Sequence, residues 1–323
     1  MLKPTYKIKM GSETFEPGVQ SPVSSMRVSQ DIEVPADGFE VVLGVSEKTS
    51  AIKEGDEVSI EIGYGDELKE VFKGAVDSAI PSISGVRVRG LNPATKLLEL
   101  RVNSVYMDSK AGDIVNDLAG KAGLKTDEVS DGIKFPVYYL DDGKNAHEHI
   151  LELARKCGFD VYMTPENKLV FKAYERSDSH ALEYGVNIIE ADVQEDRPVV
   201  KSVVVLGEGA SSFKGAESWH WLTKKLVSGS QKSDLKGAEL LIQDPSVKDS
   251  DAAAIVADSL LQEMTKTLCG TVKILGDAGV KLGDTIEIKG MGNSKMNGEF
   301  QVRSVEHEVS KATGFTTLIG WRK

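Results

Sequence analysis

The chain of 323 residues has only two cysteines, Cys157 and Cys269, far apart in sequence. With no CxxC pair and no Cys/His ladder, neither a disulfide framework nor a structural zinc site is indicated. Aromatics are sparse at 6% and histidines number five. The longest apolar runs, such as Val203–Leu206 and Ala252–Ala257, fall far short of the roughly 20 residues that cross a bilayer. The first ten residues lack the apolar stretch of a signal peptide. The expectation is a protein made in the cytoplasm and not inserted in a membrane, unless another machine exports it. Positive charge is also short: 39 Lys and Arg against 50 Asp and Glu give a net charge of −11. A field of that sign repels phosphate and disfavours tight nucleic-acid binding.

What is present is an ordinary globular balance, 40% hydrophobic and 28% charged, with length for two or three domains. Residues 1–101 read as β. Glu57–Gly63 sets Val58, Ile60 and Ile62 on one face and Glu57, Ser59 and Glu61 on the other, the period of a half-buried strand. Glu40–Val45, Val71–Ala79 and Val86–Leu91 continue the pattern, which predicts an antiparallel barrel.

From 102 to 175 the period turns helical. Ala111, Ile114, Val115, Leu118 and Ala122 predict one helix, with Asp108 or Ser109 as cap and Gly123 at its end. Asn145, with Glu148 three residues on, predicts a capped second helix that stops at Gly158. Phe159–Met163 and Lys168–Ala173 form a hairpin over Thr164–Asn167, giving a small α/β insert.

Residues 176–323 return to β as a second barrel. Its one helix, about 251–268, carries Ala254, Ala257, Leu261, Met264 and Leu268 in phase, after Asp249 or Ser250 as cap. Residues 208–238, rich in Gly, Ser and Lys, form a long loop or arm. The fold class is therefore α+β, mainly β: two related antiparallel barrels with an α/β insert.

The relation between the barrels rests on a repeat. Ile52–Ile60 (IKEGDEVSI) matches Val280–Ile288 (VKLGDTIEI). Downstream, Phe72, Val76 and Gly85 find counterparts in Phe300, Val305 and Gly314. Either a β unit is duplicated or two unrelated barrels share turn chemistry.

No motif carries chemistry. His147-Glu148-His149 lacks the four-residue spacing of a zinc-binding helix face and reads as solvated first-turn residues. Cys157 closes a helical stripe and reads as core. Gly207-Glu208-Gly209 and Gly290-Met291-Gly292 do not complete a phosphate loop. Asp141-Asp142-Gly143 lacks the spacing of a calcium loop. No GxSxG occurs, and His307 has no assignable nucleophile. Neither catalytic, cofactor-binding nor metal-binding residues are assigned. Trp219 and Trp221 share a strand face in a Lys- and Ser-rich segment. They are either anchors for a partner or packing over the protein's own barrel.

The order of units resembles a family. Ser109–Val115, Ala122–Leu124, Asn145–Gly158, Asp160–Tyr162 and Lys168–Phe171 mark the insert. Gly283-Asp284, Val305–His307 and Gly314–Thr317 mark the closing strands. The chain is similar to the phage late-control D or baseplate hub family, shared with type VI secretion spike proteins and contractile injection systems. The resemblance implies a non-enzymatic homotrimer whose two barrels per subunit make a pseudo-sixfold ring. That ring would join a hexameric tail tube to a trimeric spike, beside other baseplate proteins, in a particle assembled in a host cytoplasm. The chain ends just after its last strand, so the spike is expected to be a separate chain. A tail-associated cell-wall hydrolase and a siphophage-type tail-tip protein are the alternatives.

Overall fold

The computed structural model describes residues 3–19, 21–177, 179–208 and 227–323. The first β unit comprises β1 (Pro4–Met10), β2 (Glu13–Phe15), β3 (Val23–Asp31), β4 (Gly38–Gly44), a single helical turn α1 (Glu47–Ser50), β5 (Glu57–Tyr64), β6 (Glu67–Pro81) and β7 (Gly85–Leu91). Strand alternation puts Ile8, Val41, Ile60 and Val88 in one fully buried cluster. Their neighbours Lys9, Glu40, Glu61 and Arg89 face outward. Each such aliphatic side chain, taken from water, contributes about 1.5–3 kcal/mol. Because most of this core comes from one sheet, that sheet must curl around it.

The α/β unit follows: α2 (Thr95–Glu99), β8 (Ser104–Lys110), α3 (Ala111–Lys121), β9 (Lys125–Val129), β10 (Lys134–Leu140), α4 (Ala146–Cys157), β11 (Asp160–Met163) and β12 (Lys168–Lys172). The capping box of α4 is as the sequence predicts. The Glu148 amide donates to Asn145 Oδ1 at 2.9 Å, and the Asn145 amide donates to Glu148 Oε2 at 2.8 Å. Gly158 closes the helix at φ 72°. The cap of α3 is instead Lys110, whose amide donates to Asp113 Oδ2 at 3.1 Å. Asp108 and Ser109 lie inside β8, so neither reaches the helix start.

The remaining elements are β13 (Ser179–Glu183), β14 (Ile188–Glu195), β15 (Val200–Gly207), β16 (Val227–Lys232), β17 (Ala238–Asp244), α5 (Ser250–Thr265), β18 (Leu268–Leu275), β19 (Thr285–Lys289), β20 (Gly298–Ser310) and β21 (Gly314–Arg322). They do not form one barrel, as the reading of 176–323 expects. Strands β15–β17 make their own sheet, in the order β16-β15-β17. α5 lies on that sheet, and both join the core of the α/β unit, where Val203, Val205, Ala253 and Val256 meet Leu153 and Phe135. The physical reason is close packing of small residues: a Cβ at Gly229 would sit 2.2 Å from the Ala254 backbone nitrogen. The buried face of α5 is accordingly Ala252, Ala253, Val256, Ala257 and Leu261, while Leu268 already belongs to β18. Lys156 on α4 pairs with Asp244 at the end of β17 in a mostly buried ion pair. Residues 227–232 of the expected arm are strand β16, hydrogen-bonded to β15.

The second β unit is thus β13, β14 and β18–β21, around Ile274, Ile286, Val302 and Trp321. Its strand order, β14-β18-β21-β20-β19-β13, copies β3-β4-β7-β6-β5-β1 of the first. One difference is the last pairing, antiparallel for β1–β5 and parallel for β13–β19. The units are joined: β20 pairs with β3, Ser304–Ser310 against Ser25–Asp31, so thirteen strands form one continuous sheet.

The repeat is reproduced bond for bond at its Gly-Asp turn. Gly55 and Gly283 have φ of 86° and 80°. Their amides donate to the Val76 and Val302 carbonyls at 2.8 and 3.1 Å. The amides of Val76 and Val302 return to the carbonyls of Asp56 and Asp284, both at 2.9 Å. The amides of Lys53 and Lys281 donate to the Asp56 and Asp284 carboxylates at 2.8 and 2.9 Å. Val58 and Ile60 point into the first core, Ile286 and Ile288 into the second. The downstream counterparts need correction. A register shift at Val76/Ser78 matches one at Val302/Ser304, so Val76 corresponds to Val302 and Gly74 to Phe300. Gly85 falls opposite Gly44 while Gly314 closes a longer hairpin beyond Thr316, so those two glycines are not equivalent.

Candidate interaction surfaces

The two units carry matching grooves on the outer face of the sheet. The first, about 290 Å³, is lined by Arg27, Glu40, Asp77, Arg89 and Leu91. The second, about 480 Å³, is lined by Asp192, Thr271, Arg303, Gly320 and Arg322. Through the ladders β3–β4 and β14–β18, and β4–β7 and β18–β21, these are the same five places in the repeat. The shape is duplicated and the charge is not. Arg27 becomes Asp192, Asp77 becomes Arg303, and the Arg89–Glu40 pair at 2.7 Å becomes Gly320 and Thr271.

Beneath each groove an aromatic fills the core from the opposite strand. Phe39 on β4 covers Gly90 on β7, where a Cβ would stand 2.5 Å from its ring. In the second unit Gly270 on β18 faces Trp321 on β21, again with a 2.5 Å approach. Phe39 packs edge-on against Phe72 at 5.1 Å, while Trp321 lies tilted by 37° over Phe300 at 4.1 Å.

Asp77 and Arg303 occupy the extra residue of matching bulges, a device that re-aims side chains. Asp77 is exposed. Arg303 reaches Asp160 Oδ1 on β11 at 2.5 Å and also pairs with Glu33. Gln301 donates to the other Asp160 oxygen at 2.6 Å. This mostly buried cluster fastens the α/β unit to the second β unit.

The polar residues singled out in sequence do not assemble into a catalytic set. His147 and His149 are buried rather than solvated, because the first turn of α4 packs on α2 and the neighbouring strands. His149 Nε2 lies 2.9 Å from the Asp141 carbonyl, and burial lowers the His147 pKa. Burial pushes the Cys157 thiol up to about 11, as for an inert core cysteine. His307 is fully buried on β20, with Nδ1 3.1 Å from Thr317 Oγ1. Burial depresses its pKa from 6.5 to about 4, against the pull of Asp277. Asp37, missed in sequence, is buried beside Asn92, whose Nδ2 donates to it at 2.8 Å. Burial raises it from 3.8 to about 7, opposed by donors at Asp31, Gln30 and Asn92. Among the described residues, no three His, Cys, Asp or Glu side chains are grouped to hold a metal, and no helix is long and apolar enough to cross a membrane. Trp219 and Trp221 lie outside the described residues.

A family model described as the Alg8 N-terminal domain matches residues 28–311. Among solved structures, the 43 kDa tail protein of prophage MuSo2 from Shewanella oneidensis has a TM-score of 0.74 at 15% identity, over 99% of this chain and 98% of its own. A tail protein from Neisseria meningitidis MC58 has a TM-score of 0.74 at 14% identity, over 99% and 97%. An Escherichia coli protein described as a component of the type VI secretion system matches with a TM-score of 0.62 at 11% identity, over 98% of this chain and 76% of its own. The fold is therefore that of bacteriophage tail proteins. A 129-residue stretch is 34% identical to the methionine aminopeptidase of Aquifex aeolicus (strain VF5). That match covers 36% of this chain and 46% of the enzyme, about half its length, and carries no activity over to this chain.

Proposed function

The chain belongs to the Alg8 N-terminal domain family, and we propose that it is a non-enzymatic hub of a contractile tail or tail-like injection particle. In this reading it forms a homotrimer that adapts a hexameric tail tube to a trimeric spike in the baseplate. The carrying observation is the duplication: two β units share strand order, turn hydrogen bonds and an outer groove. Three subunits with two such units each present six near-equivalent surfaces, the number a sixfold tube requires. The different charges in the two grooves let alternate tube subunits meet chemically different contacts within one ring. Two of the similar structures, a prophage tail protein and a type VI secretion component, support the same setting.

The test is co-expression with candidate spike and tube proteins, followed by light scattering and electron microscopy. A ring of three copies between tube and spike is expected. A stable dimer or tetramer in the presence of the spike, or lysis on a peptidoglycan zymogram, would refute the assignment.

A further inference from the structure

Within the chain, β3 seals one side of the first core because β20 pairs with it. Met26 and Val28 on β3 are consequently buried completely. The hairpin β20–β21 also drives Val309 and Phe315 into that core. By register, β14 holds the place of β3, and Ala191 and Val193 the places of Met26 and Val28. Yet among the described residues no strand pairs with the outer edge of β14, and Ile188, Ala191 and Val193 stay only partly buried.

Among the described residues the complementary half is equally unpartnered. β6 holds the place of β20. Beyond Ala75, where β5 leaves it, its residues Ser78–Pro81 pair on one side only, with β7. The β6–β7 hairpin exposes Ile83 at 104%, close to the place that Val309 holds at 6% in the other unit, and Ile80 at 50%, in the place of Glu306. An apolar tip and an apolar notch are thus left open at opposite ends of one sheet, and inside the chain their equivalents fit each other.

We propose that β14 of one copy receives the β6–β7 hairpin of the next, repeating between chains the β3–β20 junction that exists within each. This rests on the ring reading above and names its contact. Pro81 lacks an amide, so the ladder stops there and the exposed Ile83 lies beyond it. The contact is head-to-tail, so it closes only as a ring; alternating internal and external junctions place six β units in three chains.

The internal pair Glu306 and Ser29 corresponds to Ile80 and Gln194 across the chains. A doubly substituted Ile80→Cys/Gln194→Cys protein, mixed with its spike and oxidised, is expected to give a covalent ladder ending at three chains on a non-reducing gel. Neither single variant should. Ile83→Asp, at a fully exposed position, is expected to keep the fold while weakening the trimer at least about tenfold. A trimer that forms without the cross-link and ignores Ile83→Asp would overturn this contact and leave the hub assignment standing. A ladder running past three chains, or no trimer at all, would overturn both.

Discussion

Asp37 and His307 titrate in opposite senses within one sheet, and their effects on stability cancel over a defined pH window. Asp37 is protonated more readily in the folded chain, its pKa raised from 3.8 to about 7. Its contribution is complete below the unfolded value and is lost as pH rises towards the folded one. At 1.36 kcal/mol per pK unit the full loss is about 4 kcal/mol. His307 is protonated less readily, its pKa lowered from 6.5 to about 4. Its contribution is complete above the unfolded value and is lost as pH falls towards the folded one, about 3 kcal/mol in all. Between those limits each gives a slope of about 1.4 kcal/mol per pH unit, one falling and one rising. His307 pairs with Val28 on β3, and Asp37 follows the same strand, so one unfolding transition reports both.

The perturbations are Asp37→Asn and His307→Leu, each compared with the parent by urea unfolding from pH 4.5 to 6.5. Each also loses a hydrogen bond, to Asn92 or to Thr317, which lowers its whole curve by about 1 kcal/mol without tilting it. Other shifted groups, including His147, His180, Asp117 and Asp244, titrate alike in all three proteins and drop out of the differences. Relative to the parent, Asp37→Asn should gain about 1.4 kcal/mol per pH unit as pH rises, and His307→Leu should lose as much. Curves parallel to the parent would show that neither burial shifts a pKa and would refute the reasoning.

Two further predictions concern the repeat and the unit junction. Gly55→Ala should cost about 1–2 kcal/mol for its positive φ alone, since no atom lies within 4 Å of the added Cβ. Gly283→Ala should cost about 1 kcal/mol more, because its Cβ would meet Tyr162 Oη at 2.5 Å; equal losses in thermal unfolding would contradict this. Arg303→Ala leaves the largely buried Asp160 without its cation and should cost about 3 kcal/mol, with Arg303→Lys recovering little because the forked contact to Asp160 and Glu33 is lost. A melting temperature unchanged in Arg303→Ala would remove the cluster as a fastener.

Much of this architecture is legible because local physics fixes it. Alternation marks β5 and β19, and Asn145, Glu148 and Gly158 bound α4 to the residue. The Gly-Asp turn survives in both copies because a positive φ and an aspartate that caps its own turn tolerate few substitutes. Illegible features depend on distant partners. The alliance of α5 with β15 and β16 needs Gly229 beneath its backbone, and the β3–β20 pairing spans most of the chain. His147 and His149 sit in a first turn that is usually wet, and only the packing of α2 against α4 dries it.

The duplication itself faded from the sequence for a physical reason. What the core requires at each site is volume, and volume can come from either of two facing strands. The first unit takes it from Phe39 and leaves Gly90 bare; the second takes it from Trp321 and leaves Gly270 bare. Aligned residue by residue, these pairs read as mismatches, although each preserves the same packed layer. A single step of the exchange would either overfill the layer or empty it, so both changes had to arrive together or through an intermediate smaller than Phe. The outer grooves diverged more freely, since an exposed charge on a strand alters stability little. The result is two units alike in backbone geometry and unlike in the charges that line their grooves. Their joining into one sheet fixes how one groove stands relative to the other, which two barrels on a flexible tether would not do.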